Sequence, residues 1–196
     1  MEEIYFLAYN VFMLYTRKGD SGTTKTFGCD QRISKSSAIA EALGALDETN
    51  SFLGLCKIKA KEEKLMLPDG ILVEQVVHNI QKNLFIIQAE LAGSEMHITE
   101  SKIKDIEKII DEIEKELLPV KSFFIAGGKK LAVLFDIART IARRAERRVI
   151  EVSEEGKVKI SDLTKAYLNR LSSLLYALAR LANHKFGITE ESPDYE

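Results

Sequence analysis

Between Ser37 and Gly187 the apolar residues recur every three or four positions, a period that admits little besides packed helices. The first stretch opens at Ser37, an N-cap residue type, and runs to about Lys61. A second spans about Ile71 to Gly93. The third, about 100–117, steps through Ile103, Ile106, Ile110, Ile113 and Leu117, with charges elsewhere. A fourth follows Gly127-Gly128 and continues to about Val152. The last begins near Ser161-Asp162 and stops by Gly187, a natural C-terminal cap. Five long amphipathic helices with short connections predict an all-α fold, a five-helix bundle. The 196 residues fit a single domain: an N-terminal extension over 1–12, a loop over 13–37, the bundle over 38–187, and an acidic tail, "TEESPDYE", expected to fray within 188–196.

Ahead of the bundle the chain changes character twice. Residues 4–15, "IYFLAYNVFMLY", are apolar, but too few to span a bilayer and interrupted by Asn10. Glu2 and Glu3 stand where a signal peptide carries basic residues. The stretch reads as a strand or an arm packed on the body, and the natural start is either Met1 or Met13. Residues 16–37 then hold Gly19, Gly22 and Gly28 among Ser, Thr and Asp, which is loop chemistry. Cys29 and Cys56 form neither a disulfide framework nor a paired metal spacing, so a reducing cytoplasm is the expected setting.

Charge is where the sequence becomes specific. The chain as a whole carries a formal net charge of −2, which speaks against a general nucleic-acid coat. Yet "RTIARRAERRV" (139–149) packs Arg139, Arg143, Arg144, Arg147 and Arg148 around the single acid Glu146. At 100° per residue, Leu131, Leu134, Ala138, Ile141, Ala142, Ala145 and Val149 form the core side. Arg139, Arg143 and Arg147 run along an adjoining stripe, with Asp136 and Glu146 beside them, and Arg144 and Arg148 fall on the other flank. Arginines four apart repel, so the stripe gains nothing as an isolated helix. It suits a solvated face, an intersubunit salt-bridge network, or an anion that a planar guanidinium can grip. No aromatic residues interleave with the arginines, so no nucleic-acid partner is expected.

Three other features bear on that choice. In "LGALDETNSFLG" (43–54), Asp47, Asn50, Ser51 and Gly54 make a polar or tiny stripe along an otherwise apolar helix. That stripe suits either a helix contact with a buried Asp–Arg pair or the close approach of a ligand. On the fifth helix Asn169, Ser173, Tyr176, Arg180 and Asn183 share a polar face, each taken singly as a solvated surface residue. "TRKGDSGTTKTFG" offers backbone N–H groups, hydroxyls and the cations Arg17, Lys18 and Lys25, parts that can cradle a polyphosphate. It matches neither the P-loop nor the dinucleotide fingerprint. Asp20 is placed to hold Mg²⁺ through water.

Taken together, "YTRKGDSGTT", "SK" at 34–35, "ALDETNSFLG", "FFIAGG", "ARTIARRAERRV" and "YLNRLSSLLYALARLAN" resemble, in order and spacing, the ATP:cob(I)alamin adenosyltransferases of the propanediol-utilisation type. The resemblance covers about residues 13–186. It implies a homotrimeric five-helix bundle with active sites between subunits, acting on ATP and cobalamin with Mg²⁺. By the same resemblance Thr16, Lys18, Gly19, Asp20, Gly22 and Thr24 wrap ATP. Lys35 and Arg143 reach the triphosphate as the catalytic pair of cations. Glu146 and Arg147 lie in the same ATP-binding stretch, and Asn169 contacts the nucleotide. Asp47 and Arg139 form a salt bridge across the subunit interface, and Phe123 presses on the corrinoid's lower face, with Phe124 and Ile125 completing a water-excluding pocket.

The implied reaction moves the 5′-deoxyadenosyl group to cobalt and releases triphosphate. Cobalt(I) is the nucleophile and no proton is lost, so no catalytic His or Cys is required, and His78, His97 and His184 fall in no constellation. A reductase and a cofactor-accepting enzyme are the further partners such a protein would have; no membrane partner is expected. Departures from the family pattern are Ala126 in place of a proline, the basic Lys129 and Lys130 after the double glycine, and Thr49 in place of a leucine. A non-catalytic ATP- or corrinoid-binding trimer, and a purely structural bundle, are the rival readings.

Overall fold

The computed structural model describes residues 15, 17–26, 32–119 and 122–195. The apolar arm, Thr16 and Cys29 lie outside them. Five helices form as the period predicts: α1 (Ala38–Glu62), α2 (Val73–Leu91), α3 (Glu100–Glu116), α4 (Lys130–Glu154) and α5 (Asp162–Lys185). Two of the starts are set by serine. Ser37 Oγ accepts from the Ala40 N–H at 3.4 Å, and Ser161 Oγ accepts from the Thr164 N–H at 3.2 Å.

α2 packs on α1, α1 on α4, α4 on α5, and α5 on α3. The central pair α4 and α5 supplies Leu131, Phe135, Tyr167, Leu171, Leu174 and Leu178, all buried. The i, i+3/i+4 stripe of α3 behaves unevenly: Ile103, Ile106 and Ile113 are buried, whereas Ile110 and Leu117 are half-covered. Among the described residues no helix is long and apolar enough to cross a membrane.

The bundle also carries buried polar groups, several of them hydrogen-bonded. Glu90 of α2 accepts from the Ser161 N–H at 2.6 Å and from Thr164 Oγ1 at 2.5 Å, placing a carboxylate at the positive end of α5. The Thr49 hydroxyl donates to the Ala45 carbonyl at 2.7 Å. Burial pushes the Cys56 thiol up to about 12, so it stays protonated and inert. Gly54 faces Gln81 of α2, whose Nε2 donates to the Asn50 carbonyl at 3.0 Å. A Cβ at Gly54 would sit 3.7 Å from that nitrogen, an ordinary contact, so nothing within the chain demands glycine there.

Tyr167 gives the core a pH signature. Its hydroxyl accepts from Asn83 Nδ2 at 3.0 Å, and Lys102 Nζ donates to Asn83 Oδ1 at 2.8 Å. Burial pushes the phenol up to about 12, with the Asn83 bond pulling the other way. The folded chain therefore keeps a proton that the unfolded chain, titrating near 10, releases. Stability from this group is full below about pH 10 and is lost as pH rises toward about 12. Over that window the wild type should lose roughly 2–3 kcal/mol more than Tyr167→Phe, measured by urea unfolding at stepped pH. Parallel curves for the two proteins would contradict it.

One expectation is corrected. Residues 16–37 are not loop alone: β1 (Thr23–Lys25) and β2 (Arg32–Ser34) pair antiparallel, Thr24 opposite Ile33. Arg32 holds the hairpin, donating to Thr23 Oγ1 and to the Thr23 carbonyl, each at 2.8 Å, and to the Lys18 carbonyl. The first part of the acidic tail lies against the body at residues 190–192. The Glu191 carbonyl accepts from the Ile125 N–H at 2.8 Å, Ser192 Oγ lies 2.7 Å from Ser122 Oγ, and Glu190 is paired with α5. Arg180 and Asn183 of α5, with Ser122 and Ile125, hold these residues, which composition alone does not reveal.

Candidate active site

The arginine-rich stripe lies along the surface of α4 facing α5. Its residues divide by whether they have a counter-charge. Arg148 pairs with Glu151 at 2.9 Å, one turn along its own helix, and Arg144 pairs with Glu48 of α1. Arg139 shares Asp136, with Nε 3.7 Å from the carboxylate, and its Nε is buried without a hydrogen bond. Arg143 and Arg147 pair with no carboxylate among the described residues; the one bond recorded for either head group runs from Arg147 Nη1 to the Arg143 carbonyl at 3.1 Å. Both are exposed.

Those two arginines border a groove of about 310 Å³ whose other walls include Glu146, Ile150, Glu154 and Asn169. Asn169 is held from both ends of its amide. Nδ2 donates to Glu146 Oε1 at 3.3 Å, and Oδ1 accepts from Arg170 Nη1 at 2.8 Å. Arg170 is anchored in turn by Glu107 of α3 at 2.9 Å. Three helices thus fix one side-chain amide at the groove's edge, and Glu146 acts there as an orienting acceptor. Arg143 also borders an adjacent depression of about 350 Å³, with Arg139, Ser173, Tyr176 and Arg180. None of the three histidines lines either cavity.

The glycine-rich hairpin forms a second cluster. Arg17–Gly22 is a tight turn with Arg17 at φ 59° and Gly22 at φ 78°. Lys35, bonded through its N–H to the Gly22 carbonyl at 3.0 Å, folds its side chain across Gly19. A Cβ at Gly19 would lie 3.1 Å from Lys35 Nζ and 3.3 Å from Cε, so the glycine leaves room for the ammonium. The structure brings Gly19 and Lys35 together, with Lys18, Asp20, Gly22 and Thr24 on the same turn and strand. Within one chain this hairpin does not pack extensively on α4 or α5. Among the described residues no group of three His, Cys, Asp or Glu side chains could hold a metal ion. A divalent cation here would take most of its oxygen ligands from a bound polyphosphate, with Asp20 the nearby carboxylate.

Two further placements complete the site. Asp47 is exposed on α1 and makes no ion pair with a described residue, so it is not Arg139's partner within the chain. Phe123 is 81% exposed and therefore not core, and Ile125 is 56% exposed. With Phe124 half-buried, they form no enclosed apolar pocket within the chain.

Periodicity missed the burial of Arg180 and Asn183. Both were read as solvated, yet they are 4% and 2% exposed. Arg180 Nη2 donates to the buried Asp136 at 3.2 Å, and its guanidinium sits against Tyr176 and Phe124, with centroids at 4.8 and 5.4 Å. An acid and an arginine each flanked by apolar neighbours in mid-helix, at 136 and 180, was the available signal.

Fold and site define a helical-bundle protein that presents guanidinium groups without a described carboxylate partner beside a fixed amide. A cobalamin adenosyltransferase family model matches residues 14–182. The chain is 39% identical over 178 residues to the corrinoid adenosyltransferase PduO of Citrobacter freundii, covering 87% of this chain and 50% of that protein. It is 34% identical over 191 residues to a second corrinoid adenosyltransferase of Citrobacter freundii, covering 94% and 98%. The chain thus spans about half the length of the PduO relatives and nearly all of the shorter one. A solved variant of a PduO-type ATP:corrinoid adenosyltransferase from Lactobacillus reuteri, complexed with cobalamin and ATP, superposes with a TM-score of 0.80 at 28% identity, covering 92% of this chain and 99% of that one. The chain belongs to the cobalamin adenosyltransferase family.

Proposed function

We propose that this protein transfers the 5′-deoxyadenosyl group of ATP to the cobalt of cob(I)alamin, giving adenosylcobalamin and triphosphate. One observation carries the reading: on a helix where the other arginines have carboxylate partners, Arg143 and Arg147 have none among the described residues, and they flank the fixed amide of Asn169. Unmatched guanidiniums on a groove suit the phosphates of a nucleotide. In the transfer, cobalt(I) supplies the electron pair for the new Co–C5′ bond. The C5′–O5′ bond breaks, its pair leaves on triphosphate, and cobalt ends formally as cobalt(III). No proton moves, which fits a groove lined by no histidine.

The chain's own work is to place ATP and to receive the charge that builds on the leaving group. Arg143 and Lys35 do the second task, aided by the N–H groups around Gly19 and Gly22. Lys18, Asp20, Thr24 and Thr16 wrap the nucleotide, Arg147 and Asn169 hold it from the bundle, and Glu146 orients Asn169. Mg²⁺ enters with the phosphates and supplies further charge neutralisation. That the hairpin does not pack extensively on α4 and α5 of its own chain supports a site completed across a subunit boundary. Asp47, exposed, and the partly exposed guanidinium of Arg139 are suited to pair there, within a homotrimer. The cytoplasm, where cobalt can be kept reduced, is the setting this chemistry needs.

Anaerobic mixing of the protein with cob(I)alamin, ATP and Mg²⁺ tests this directly. Light-sensitive adenosylcobalamin and one tripolyphosphate per turnover are expected. Saturable ATP binding with no alkylated corrinoid would leave a binding protein and defeat the proposal.

A further inference from the structure

Residues 122–128, which carry the exposed Phe123, have no helix or strand of their own. They are held instead by the end of α5 and the segment that follows it. Asn183 donates from Nδ2 to the Gly127 carbonyl at 3.1 Å and to Glu190 Oε1 at 2.7 Å. Its Oδ1 accepts from the Lys129 N–H at 2.9 Å, at the start of α4. One buried amide therefore joins the double glycine, the mouth of α4 and the tail. Glu190 Oε1 lies 2.7 Å from Arg180 Nε as an ion pair whose angle falls short of a hydrogen bond, and Arg180 is fixed by Asp136.

The tail then runs beside the Phe123 segment. Gly187, at φ 67°, turns the chain out of α5. Ile188 packs over Gly128, where a Cβ would meet its methyl at 2.9 Å. The Glu191 carbonyl accepts from the Ile125 N–H, and the Ser122 and Ser192 hydroxyls share a bond. Phe124, next to Phe123, is held against the Arg180 guanidinium. Every tie on this exposed segment thus leads back to Arg180 and Asn183, directly or through the tail.

We infer that residues 187–192 are a strap that positions the Phe123 segment for the corrinoid, with Arg180, Asn183 and Glu190 as positioning residues. The inference rests on the reading that Phe123 faces the corrinoid. An aromatic ring that must press on a large ligand needs a stiff base, and an exposed segment with few apolar contacts has none of its own. The buried ion pairs and the shared amide supply it. Nothing in the strap touches the Arg143–Asn169 groove, so its loss leaves ATP binding alone.

Two variants test this outside the five helices: Glu190→Ala, and a chain ended after Ile188. In ligand-free protein, amide hydrogen exchange over 122–128 should quicken roughly tenfold or more in both, with α1 and α2 unchanged. The KM for cob(I)alamin should rise roughly tenfold, and the KM for ATP should stay within about twofold. Unchanged exchange over 122–128 in the shortened chain overturns the strap. Faster exchange with an unaltered corrinoid KM, or equal rises in both KM values, overturns its positioning role. A wild-type protein that makes no adenosylcobalamin defeats the functional reading instead, and the exchange comparison still decides whether the strap holds the segment.

Discussion

Arg143→Ala is expected to lower kcat by roughly a hundredfold to a thousandfold while the bundle stays folded. The magnitude is that of removing one preorganised donor from a site where negative charge develops, about 2.7–4 kcal/mol of transition-state stabilisation. The stability half of the expectation comes from the structure. Arg143 is exposed and has no carboxylate to abandon. Arg139 and Arg147 stand four residues away on either side, so its removal relieves like-charge repulsion, and alanine is the better helix former. The melting temperature should therefore hold or rise slightly. Arg148→Ala is the matched control: it loses an exposed pair with Glu151, and the rate should not change. An Arg143→Ala protein with kcat within about threefold of wild type would remove this arginine from the chemistry.

The second large effect concerns Gly128. Its φ of +89° is a conformation that side-chain-bearing residues adopt at a cost of about 1–3 kcal/mol. The space is also taken: a Cβ would lie 2.5 Å from Asn183 Oδ1 and 2.9 Å from Ile188 Cγ2. Asn183 cannot retreat without releasing the Lys129 N–H, the Gly127 carbonyl or Glu190. Strain plus broken buried bonds puts Gly128→Ala at roughly 3 kcal/mol or more, a fall in Tm on the order of 6–12 °C. Gly70→Ala separates the two causes. Gly70 has nearly the same φ, +86°, but nothing within 4 Å of a Cβ, so the strain acts alone at roughly 1 kcal/mol. Equal Tm losses for the two variants would mean that Asn183 yields easily and the double glycine is a matter of backbone geometry only.

What the sequence disclosed, and what it withheld, follows from the range of each signal. All five helices were legible within about two residues, because a 3.6-residue period over long stretches is strong and Ser37 and Ser161 mark starts by local hydrogen bonding. The arginine stripe was legible as a stripe. Which of its members are neutralised was not, because Arg144's partner Glu48 lies on another helix and a helical wheel holds no such information. The same limit hid Arg180 and Asn183. A wheel gives the direction of a polar face but not what lies over it, and here the cover comes from residues 122–128 and the tail. The hairpin escaped because its strands are three residues each and Arg32 closes it from beyond the glycines. Phe123 was assigned by resemblance; its exposure shows that it does not serve the core of its own chain.

The central claim is that Arg143, on the bundle of one subunit, and Lys35, on the hairpin of a neighbour, close on the same triphosphate. A structure of the protein with ATP and Mg²⁺ measures this most directly. Phosphate oxygens should stand within hydrogen-bond reach of both side chains, with Asp47 of one chain paired to Arg139 of the next. Nucleotide bound elsewhere, with Arg143 turned to bulk water and the turn at Gly19 vacant, would contradict it.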